Sequence, residues 1–189
     1  MNEDKKTFYI NRNKDKYIEY VGKLNIISFI PEDIEIIMGN PGVRRGFFNY
    51  EISQARRDYL EAIVNFEKIL RIRNKMIKAK ETGEEIYKIY NERFIEEGVK
   101  IIIHRREFIK KLSILLNLNY RKLFDEKSEL KLKNDCFLGE VEKKTKEELT
   151  EIFERLCKRK AEREKLQGYS LIGPQKDDFV FELNGKNAK

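Results

Sequence analysis

Apolar residues recur at helical spacing through the middle of this 189-residue chain. Over residues 51–81 they return every three or four positions, which predicts one long helix. Thr82-Gly83 then predicts a break, and a second apolar stripe follows over residues 84–124. Gly98 and the β-branched run at 101–103 leave open whether this second segment is one kinked helix or two. Long helices joined by a turn of two or three residues lie antiparallel, so the pattern predicts a helical arm.

Short strands are predicted on the N-terminal side of this arm. Residues 5–11 predict a short strand that runs into a polar turn, and residues 25–30 are almost continuously apolar, as in a strand buried on both faces. Pro31 ends the second strand and fits the first position of a helical turn, where its missing N–H costs nothing. Glu32 and Asp33 follow in that first turn, where the helix dipole favours acids.

A third helix is predicted after the arm. Residues 129–133 first predict a strand, which a loop follows. Thr145 and Glu148 then form a capping box ahead of an apolar stripe, and Gly168 is a C-terminal stop signal.

The chain is predicted to close with two more strands, at residues 170–173 and 179–183. Asn184-Gly185 is a strong signal for a hairpin turn. The sequence stops before a returning strand could be completed, which favours a chain that belongs to a longer protein. The predicted fold class is α+β and predominantly helical, with the antiparallel arm inserted between short strands.

Composition agrees with long solvated helices and adds a positive charge. Charged residues make up 39% of the chain, against about a quarter in an average domain. Helices that bury only one stripe raise the charged fraction in this way. The formal charge of +7 suits a phosphate-binding surface, but 40 basic residues are interleaved with 33 acidic ones. Charge alone therefore does not assign a nucleic-acid role.

The termini and cysteines predict a soluble, cytoplasmic protein. The first residues, MNEDKKTFYI, are too polar for a signal peptide, and no apolar run approaches the length of about 18 residues that spans a membrane. Cys136 and Cys157 have no CxxC spacing and no nearby histidine in the sequence. We therefore expect two reduced thiols and no metal site.

Signals for catalysis are few. The single histidine, His104, lies in a predicted helix among Ile103, Arg105 and Arg106, with no cysteine or serine partner nearby, and general acid–base work needs a positioned partner. The 189 residues contain no GxSxG, HExxH, GxGxxG or GxxxxGK[ST] motif. The chain by itself is therefore not predicted to be an enzyme.

Two stretches carry features that packing alone does not explain. In the first, residues 31–48, a break at Gly39-Asn40-Pro41-Gly42 is followed by Arg44-Arg45 and a pair of phenylalanines. In the second, residues 171–181, Gly173-Pro174 precedes the paired acids Asp177 and Asp178. The arginines fit either solvated charges or binding groups, and the acids fit either turn chemistry or a site for a metal, a basic partner or an ATPase neighbour.

The order of these motifs resembles the RecF family of bacterial DNA replication and repair ATPases. The residues that carry the likeness are Phe29, Pro31-Glu32-Asp33, Gly39, Pro41, Arg44-Arg45, Phe47, Glu51-Ile52-Ser53-Gln54, Tyr59-Leu60, Arg73-Asn74, residues 98–105, Gly173-Pro174, Asp177-Asp178 and Asn184-Gly185. They occur in the family's order over nearly the whole chain. Gln175 and Lys176 stand where the family has His and Arg, and Asn49 stands where it has Asp.

The resemblance implies a division of the chain within an ABC-type, SMC-like ATPase. Residues 1–52 would end the first ATPase lobe with a Q-loop-like segment, residues 53–124 would form the antiparallel arm, and residues 125–189 would begin the second lobe. The family's Walker A motif would lie before residue 1, and its signature and Walker B motifs after residue 189. The implied cofactors, ATP and Mg²⁺, belong to the parent family and not to this chain.

The resemblance also implies sites and partners. Pro31, Glu32 and Asp33 would lie near the nucleotide, and Gly173, Pro174, Asp177 and Asp178 would form a family motif. Residues expected either to bind DNA or to brace the arm root are Arg44, Arg45, Arg56, Arg57, Arg71, Lys75, Arg105 and Arg106. The implied partners are duplex or gapped DNA, bound without sequence preference, and recombination-mediator proteins of the RecO/RecR type, and we expect the chain by itself to be a monomer associated with the nucleoid.

One alternative function is an antiparallel helical hairpin that docks a protein through an exposed stripe without binding DNA. The orientation of Tyr87, Tyr90 and Phe94 distinguishes the two, because a docking hairpin would turn them outward.

Overall fold

The computed structural model describes residues 7–21, 23 and 30–188. At its N-terminal end, strand β1 (Phe8–Ile10) pairs antiparallel with β2 (Asn13–Asp15), and a short helix α1 (Tyr17–Tyr20) follows. The first predicted strand is confirmed over residues 8–10. The strand predicted at 25–30 lies outside the described residues except for its last position.

The next segment forms two short turns and then a helix. A 3-10 turn at Pro31–Ile34 leads into α2 (Glu35–Met38), and two residues separate α2 from α3 (Pro41–Ala55). The Asn40 side-chain oxygen accepts hydrogen bonds from the backbone N–H groups of Gly42 (2.8 Å) and Val43 (3.2 Å). Because Pro41 occupies the first helical position, where no N–H is needed, the residues around 40–42 form a capped helix start.

Helix α4 (Arg57–Ala79) is separate from α3, so the prediction of one helix over 51–81 is wrong at its first residues. Arg56, at φ −140° and ψ 105°, is extended and interrupts the helical path. No glycine or proline marks this break. Lys80 ends α4 in the left-handed conformation at φ 63°, just before the predicted Thr82-Gly83 turn.

Helix α5 (Glu85–Leu123) is one continuous helix, about 58 Å long at 1.5 Å per residue. It packs along α4, as the predicted arm requires. Gly98 does not break the helix. Its missing side chain leaves room for the ring of Phe153 to pack against α5. A β-carbon on Gly98 would lie 2.6 Å from Cε1 of Phe153 and 3.5 Å from Cε2 of Phe66.

The C-terminal part builds a small antiparallel sheet around a third long helix. Strand β3 (Leu130–Asp135) pairs with β4 (Asp178–Leu183), which pairs with β5 (Lys186–Asn187) beyond the predicted turn. Helix α6 (Lys146–Gln167) has the predicted capping box and ends at Gly168. The strand predicted at 170–173 is wrong, because side chains rather than a neighbouring strand bind this backbone.

Aromatic rings join the helices to one another and to the sheet. Phe66 of α4 stacks on Phe94 of α5 at 5.0 Å, and Phe94 meets Phe153 of α6 at 5.3 Å. Phe48 of α3 lies 4.2 Å from Phe179 of β4. All five rings are at most 1% exposed, so one core connects the three long helices, α3 and the sheet.

The two interior helical glycines give a direct test of this packing. We expect Gly98→Ala to lower the free energy of unfolding by about 1–3 kcal/mol, because the new methyl group overpacks against Phe153. Gly46→Ala in α3 is the matched control, since nothing lies within 4 Å of its added β-carbon. That change is expected to stabilise by about 0.5–1 kcal/mol in urea unfolding followed by circular dichroism. Equal stabilisation by both changes would contradict the close contact at Gly98.

Both cysteine thiols are free and buried. Burial raises the pKa of Cys157 to about 12 and raises the pKa of Cys136 well above its ordinary value. The folded protein therefore keeps both thiol protons at a pH where the unfolded chain releases them.

This difference predicts a loss of stability in alkali. Above the ordinary thiol pKa of about 8.5, the unfolded chain binds fewer protons than the folded one, so stability falls as pH rises, by about 1.4 kcal/mol per pH unit for each thiol. Urea unfolding at increasing pH measures this slope. Cys136→Ala/Cys157→Ala should flatten it, whereas parallel slopes in the two proteins would show that the thiols do not contribute.

Candidate functional site

Arg44 is buried and joins α3 to the sheet. Its Nε and Nη2 atoms donate to the two carboxylate oxygens of Asp178, each at 2.7 Å. Its Nη1 atom donates to the carbonyl oxygens of Gly39 (2.6 Å) and Ile37 (3.4 Å). The hydrogen bonds to Asp178 raise the pKa of Arg44 above its ordinary value. This side chain thus ties the turn before α3 to the first residue of β4.

Arg105 of α5 is 1% exposed and gathers four acceptors around its guanidinium group. It donates to Asp177 Oδ2 at 2.7 Å, to the carbonyl oxygen of Pro174 at 2.9 Å, to Asn49 Oδ1 at 2.9 Å and to the Tyr59 hydroxyl at 3.1 Å. The Tyr59 hydroxyl donates in turn to Asn49 Oδ1 at 2.6 Å. These contacts join α3, α4, α5 and the segment before β4 at one point.

Asp177 is fully buried and receives donors from three directions. Besides Arg105, the backbone N–H of Phe137 donates to its Oδ1 at 2.9 Å. Arg45 donates to the Asp177 carbonyl oxygen at 2.8 Å. Burial raises the pKa of the Asp177 carboxyl, while Arg105 and the Phe137 N–H act in the opposite direction. We call Arg44, Arg45, Arg105, Asp177 and Asp178 the root network.

The root network brings together residues that the sequence analysis singled out in two separate stretches. Arg44 and Arg45 meet Asp177 and Asp178 although more than 130 positions separate them. Gly173 makes the approach possible, since its φ of 124° is open to glycine and an added β-carbon would lie 2.8 Å from Cζ of Phe94. Asn49, which stands where the family pattern has Asp, accepts two of the network's hydrogen bonds with its amide oxygen.

A second buried ion pair joins α4 to α6. Arg73 donates to Glu164 Oε2 at 2.7 Å, to the Ser170 hydroxyl at 2.5 Å and to Asn91 Oδ1 at 3.1 Å. Its guanidinium carbon lies 4.7 Å from the centre of the Phe94 ring. The other Glu164 oxygen accepts the N–H of Leu171 at 2.8 Å, which fixes the segment after α6.

Sequence reasoning did not assign roles to Arg73, Glu164, Ser170, Tyr59 or Asn49. A signal was present for two of them, because Arg73 and Glu164 occupy positions on the apolar stripes of their helices. A charged residue at an apolar-stripe position indicates a buried pair. Nothing in the local pattern indicates the roles of the other three.

The remaining predicted arginines and Lys75 differ in their environments. Arg106 is half-buried and donates to the carbonyl oxygens of Val141 (2.9 Å) and Lys144 (2.7 Å). Arg56 and Arg57 are exposed and pair with acids, at 3.0 Å to Asp58 and 2.5 Å to Glu19. Arg71 is exposed and donates to the Glu67 carbonyl oxygen at 3.3 Å. Lys75 is exposed and has no ion pair among the described residues.

The predicted nucleotide-proximal residues form the 3-10 turn before α2. Pro31 and Glu32 are exposed, and Asp33 Oδ2 accepts the backbone N–H of Ile30 at 2.9 Å. Just after this turn, Arg44 donates to the carbonyl oxygens of Ile37 and Gly39, at the end of α2. The turn therefore lies directly before the part of the chain that the root network holds.

His104 lies beside the arm root, with its Nε2 atom 3.6 Å from Asp58. Its buried Nδ1 atom has no hydrogen-bond partner among the described residues. Within residues 7–21, 23 and 30–188, no group of three or more His, Cys, Asp or Glu side chains is arranged to hold a metal ion. No described helix is both long and apolar enough to cross a membrane.

The orientation of three aromatic rings of the arm tests the alternative function, a helical hairpin that docks a protein through these rings. Phe94 is fully buried between Phe66 and Phe153, Tyr90 packs against the core, and the Tyr87 ring lies beside Arg73 at 5.6 Å. None of these three rings points outward, so they do not form an exposed docking stripe.

The fold identifies the class of protein to which this chain is related. The chain matches a solved structure of the recombination mediator protein RecF-ATP in the RecFOR pathway, with a TM-score of 0.90 and 26% identity over 97% of this chain and 50% of that one. A second match, to RecF bound to an ATP analogue (ATPrS) in the same pathway, has a TM-score of 0.87 at 25% identity. The architecture is that of an ABC-type ATPase with a helical arm.

Sequence comparison names the family within this class. The chain is 33% identical to the DNA replication and repair protein RecF of Ligilactobacillus salivarius (strain UCC118) over 180 residues, which is 93% of this chain and 48% of the relative. It is also 33% identical to RecF of Halothermothrix orenii over 91% of this chain and 47% of the relative. No family model matches. The chain belongs to the RecF family and spans about half the length of the curated relatives it matches.

The geometry of Arg105 predicts that lysine cannot replace it. We expect Arg105→Lys to lower the free energy of unfolding by about 3 kcal/mol, because one ammonium group cannot reach all four acceptors and leaves some of them buried and unpaired. Arg71→Lys, on the exposed face of α4, is the control and should change stability by less than about 0.5 kcal/mol. Similar small effects of both changes in urea unfolding would show that the four bonds of Arg105 do not stabilise the fold.

Proposed function

We propose that this chain is the arm-bearing part of a RecF-type DNA replication and repair protein. The observation that carries the proposal is the joint match in sequence and structure to RecF over more than nine-tenths of the chain. By this proposal, residues 1–52 end one ATPase lobe, residues 53–124 form the arm and residues 125–189 begin the other lobe. The whole protein binds ATP with Mg²⁺ and acts on DNA at the nucleoid together with recombination mediators of the RecO/RecR type.

Within this proposal the basic residues divide into two groups. Arg44 and Arg105 are at most 2% exposed and already fully engaged, which supports a bracing role rather than a contact with DNA. Arg106 supports the loop after β3 in the same way. Arg45 is half-buried, and its bond to the Asp177 carbonyl makes it part of the brace.

DNA contact is best supported for Arg71 and Lys75 of α4. They are exposed, lie four positions apart and have no ion pair among the described residues. Residues four apart on a helix share a face, so the two cations present themselves to the same partner. Arg56 and Arg57 face nearby acids instead, which would compete with a phosphate. We propose that the α4 face bearing Arg71 and Lys75 binds the DNA backbone, without sequence preference.

Nucleotide binding is proposed only for the whole protein. The RecF structures that this chain matches are those of RecF with ATP and of RecF with the ATP analogue ATPrS. Pro31, Glu32 and Asp33 are the residues of this chain that we place nearest the nucleotide. Their own contribution is positional, since the turn they form leads through Gly39 to the root network.

The DNA proposal predicts a loss of binding on charge reversal at Arg71 and Lys75. Fluorescence anisotropy with a short duplex should show binding that weakens steeply with salt, and Arg71→Glu/Lys75→Glu should weaken it and reduce the slope of log affinity against log salt by about two. Lys88→Glu/Lys165→Glu changes the net charge equally at lysines that already pair with Glu85 and Glu162. Equal losses in both variants would indicate a general charge effect. No wild-type binding at low salt would exclude DNA contact by this part of the protein.

A further inference from the structure

We propose that the groove between α5 and β3 docks an extended segment of a partner protein that alternates acidic and apolar side chains. This inference deepens the partner binding proposed above and rests on that proposal. It concerns a different surface from the DNA-contact residues on α4. The groove combines an apolar floor, one unpaired amide and lysines at its rim.

The groove has a volume of about 540 Å³, which lies within the range of ligand-binding pockets. Ile109, Leu132 and Val141 form its apolar floor and are at most 4% exposed. At one end lies Ile114, which is 56% exposed, and Leu118 follows one helical turn further along α5 at 50%. The apolar surface of the groove therefore extends along α5 to two exposed aliphatic side chains, Ile114 and Leu118.

The wall opposite α5 is held in place by Arg106. Its guanidinium group donates to the carbonyl oxygens of Val141 and Lys144 and so fixes the loop that carries Val141, Glu142 and Lys143. Because Arg106 of α5 already fixes this loop, the loop does not have to become ordered when a segment binds. Preformed sites lose less conformational entropy on binding.

Asn134 is the polar group that the fold leaves unused. Residues 130, 132 and 134 of β3 share one face, and Leu130 and Leu132 place apolar side chains there. Asn134 follows them with an amide whose nitrogen and oxygen are both buried and have no hydrogen-bond partner among the described residues. Asn134 is one of the residues that line the groove. Buried polar groups are paired in most proteins, so its unpaired donor and acceptor indicate a ligand that reaches them.

The chemistry of that amide favours a peptide. A carboxamide presents one acceptor and one donor side by side, which complements the N–H and C=O of an extended backbone. The strand itself is not open for pairing at its first residues, because Asn117 and Ser113 of α5 accept the N–H groups of Leu130 (2.9 Å) and Leu132 (3.0 Å). A bound segment is therefore recognised by side chains in the groove and not by extension of the sheet there.

The rim selects acidic side chains. Lys110 and Lys143 line the groove and have no ion pair among the residues that the structure describes. Lys131 and Lys133 also line it, but they pair with Glu129 and Glu182. Among the described residues that line the groove, Glu142 is the only acid, and its carboxylate accepts the N–H of Val141 at 3.1 Å. An apolar floor beneath unpaired lysines fits an acidic peptide better than a DNA backbone, which has no apolar side chains to bury.

The test uses the whole chain and a display library of random short peptides, selected for binding in the absence of DNA and ATP. We expect selected peptides to alternate acidic with apolar residues, and fluorescence anisotropy to measure their affinity. Asn134→Leu should weaken binding about tenfold, as the loss of buried hydrogen bonds does, and Lys110→Glu/Lys143→Glu should weaken it at least as much. Lys88→Glu/Lys165→Glu, with the same charge change outside the groove, should bind as wild type does.

Asn134→Leu separates a role of Asn134 in peptide recognition from a role in folding. Leucine suits the apolar face of β3 and removes an unpaired polar group. We therefore expect this variant to fold. Circular dichroism melts of each variant establish this. Failure to select an acidic and apolar pattern, or selection of peptides that bind all variants equally, would overturn the proposal. So would loss of duplex DNA binding in the groove variants without any peptide binding, which would assign the groove to nucleic acid. Because the selection contains no DNA, its failure leaves the Arg71 and Lys75 test unaffected.

Discussion

The guanidinium group of Arg105 is the point on which the rest of the structure depends. It is buried in the middle of the longest helix, and an isolated buried charge costs several kcal/mol in lost hydration. The fold offsets this cost only by bringing four acceptors to it, from α3, from α4 and from the segment that precedes β4. Parts of the chain that are far apart in sequence must therefore meet around one side chain. Removing Asp177 leaves the charge uncompensated, and removing one of the neutral acceptors leaves a buried N–H of Arg105 unpaired.

The same logic separates the bracing arginines from those available to a partner. Arg44 repeats the pattern of Arg105 at the start of α3, and Arg73 repeats it between α4 and α6. Each makes short bonds to a carboxylate and further bonds to other acceptors, the arrangement in which arginine is most specific. Arg71 and Lys75, in contrast, lie on an exposed face of α4 without carboxylate partners among the described residues. The chain thus devotes three arginines to its interior, each paired with a carboxylate, so these three cations are not available to a partner.

The root network also connects regions that the proposed function requires to act together. Arg44 links the turn before α3 to β4, and Arg105 links the arm to the residues just before β4. In the whole RecF-type protein, as proposed, the first region lies near the nucleotide and the second belongs to the other ATPase lobe. The network then joins both to the arm through rigid contacts rather than through a flexible linker.

Local sequence patterns predicted much of the secondary structure and little of the network. The capping box at Thr145 and Glu148 and the stop at Gly168 were sufficient for α6, because these signals act within one helical turn. The break at Arg56 could not be predicted, since no glycine or proline marks it. The pairing of Arg44 with Asp178 depends on how the whole chain folds, and no spacing rule reaches across that separation. The family resemblance placed both residues among motifs but did not show that they bind each other.

Native-state hydrogen exchange tests whether buried arginine pairs hold the arm root and the sheet together as one unit. Asp178→Ala removes the carboxylate partner of Arg44 while leaving the Arg73–Glu164 pair intact. We predict faster amide exchange in both α3 and β4, together with unchanged protection where α4 packs on α6. Loss of protection confined to β4 would contradict it, because α3 would then be held independently of the pair.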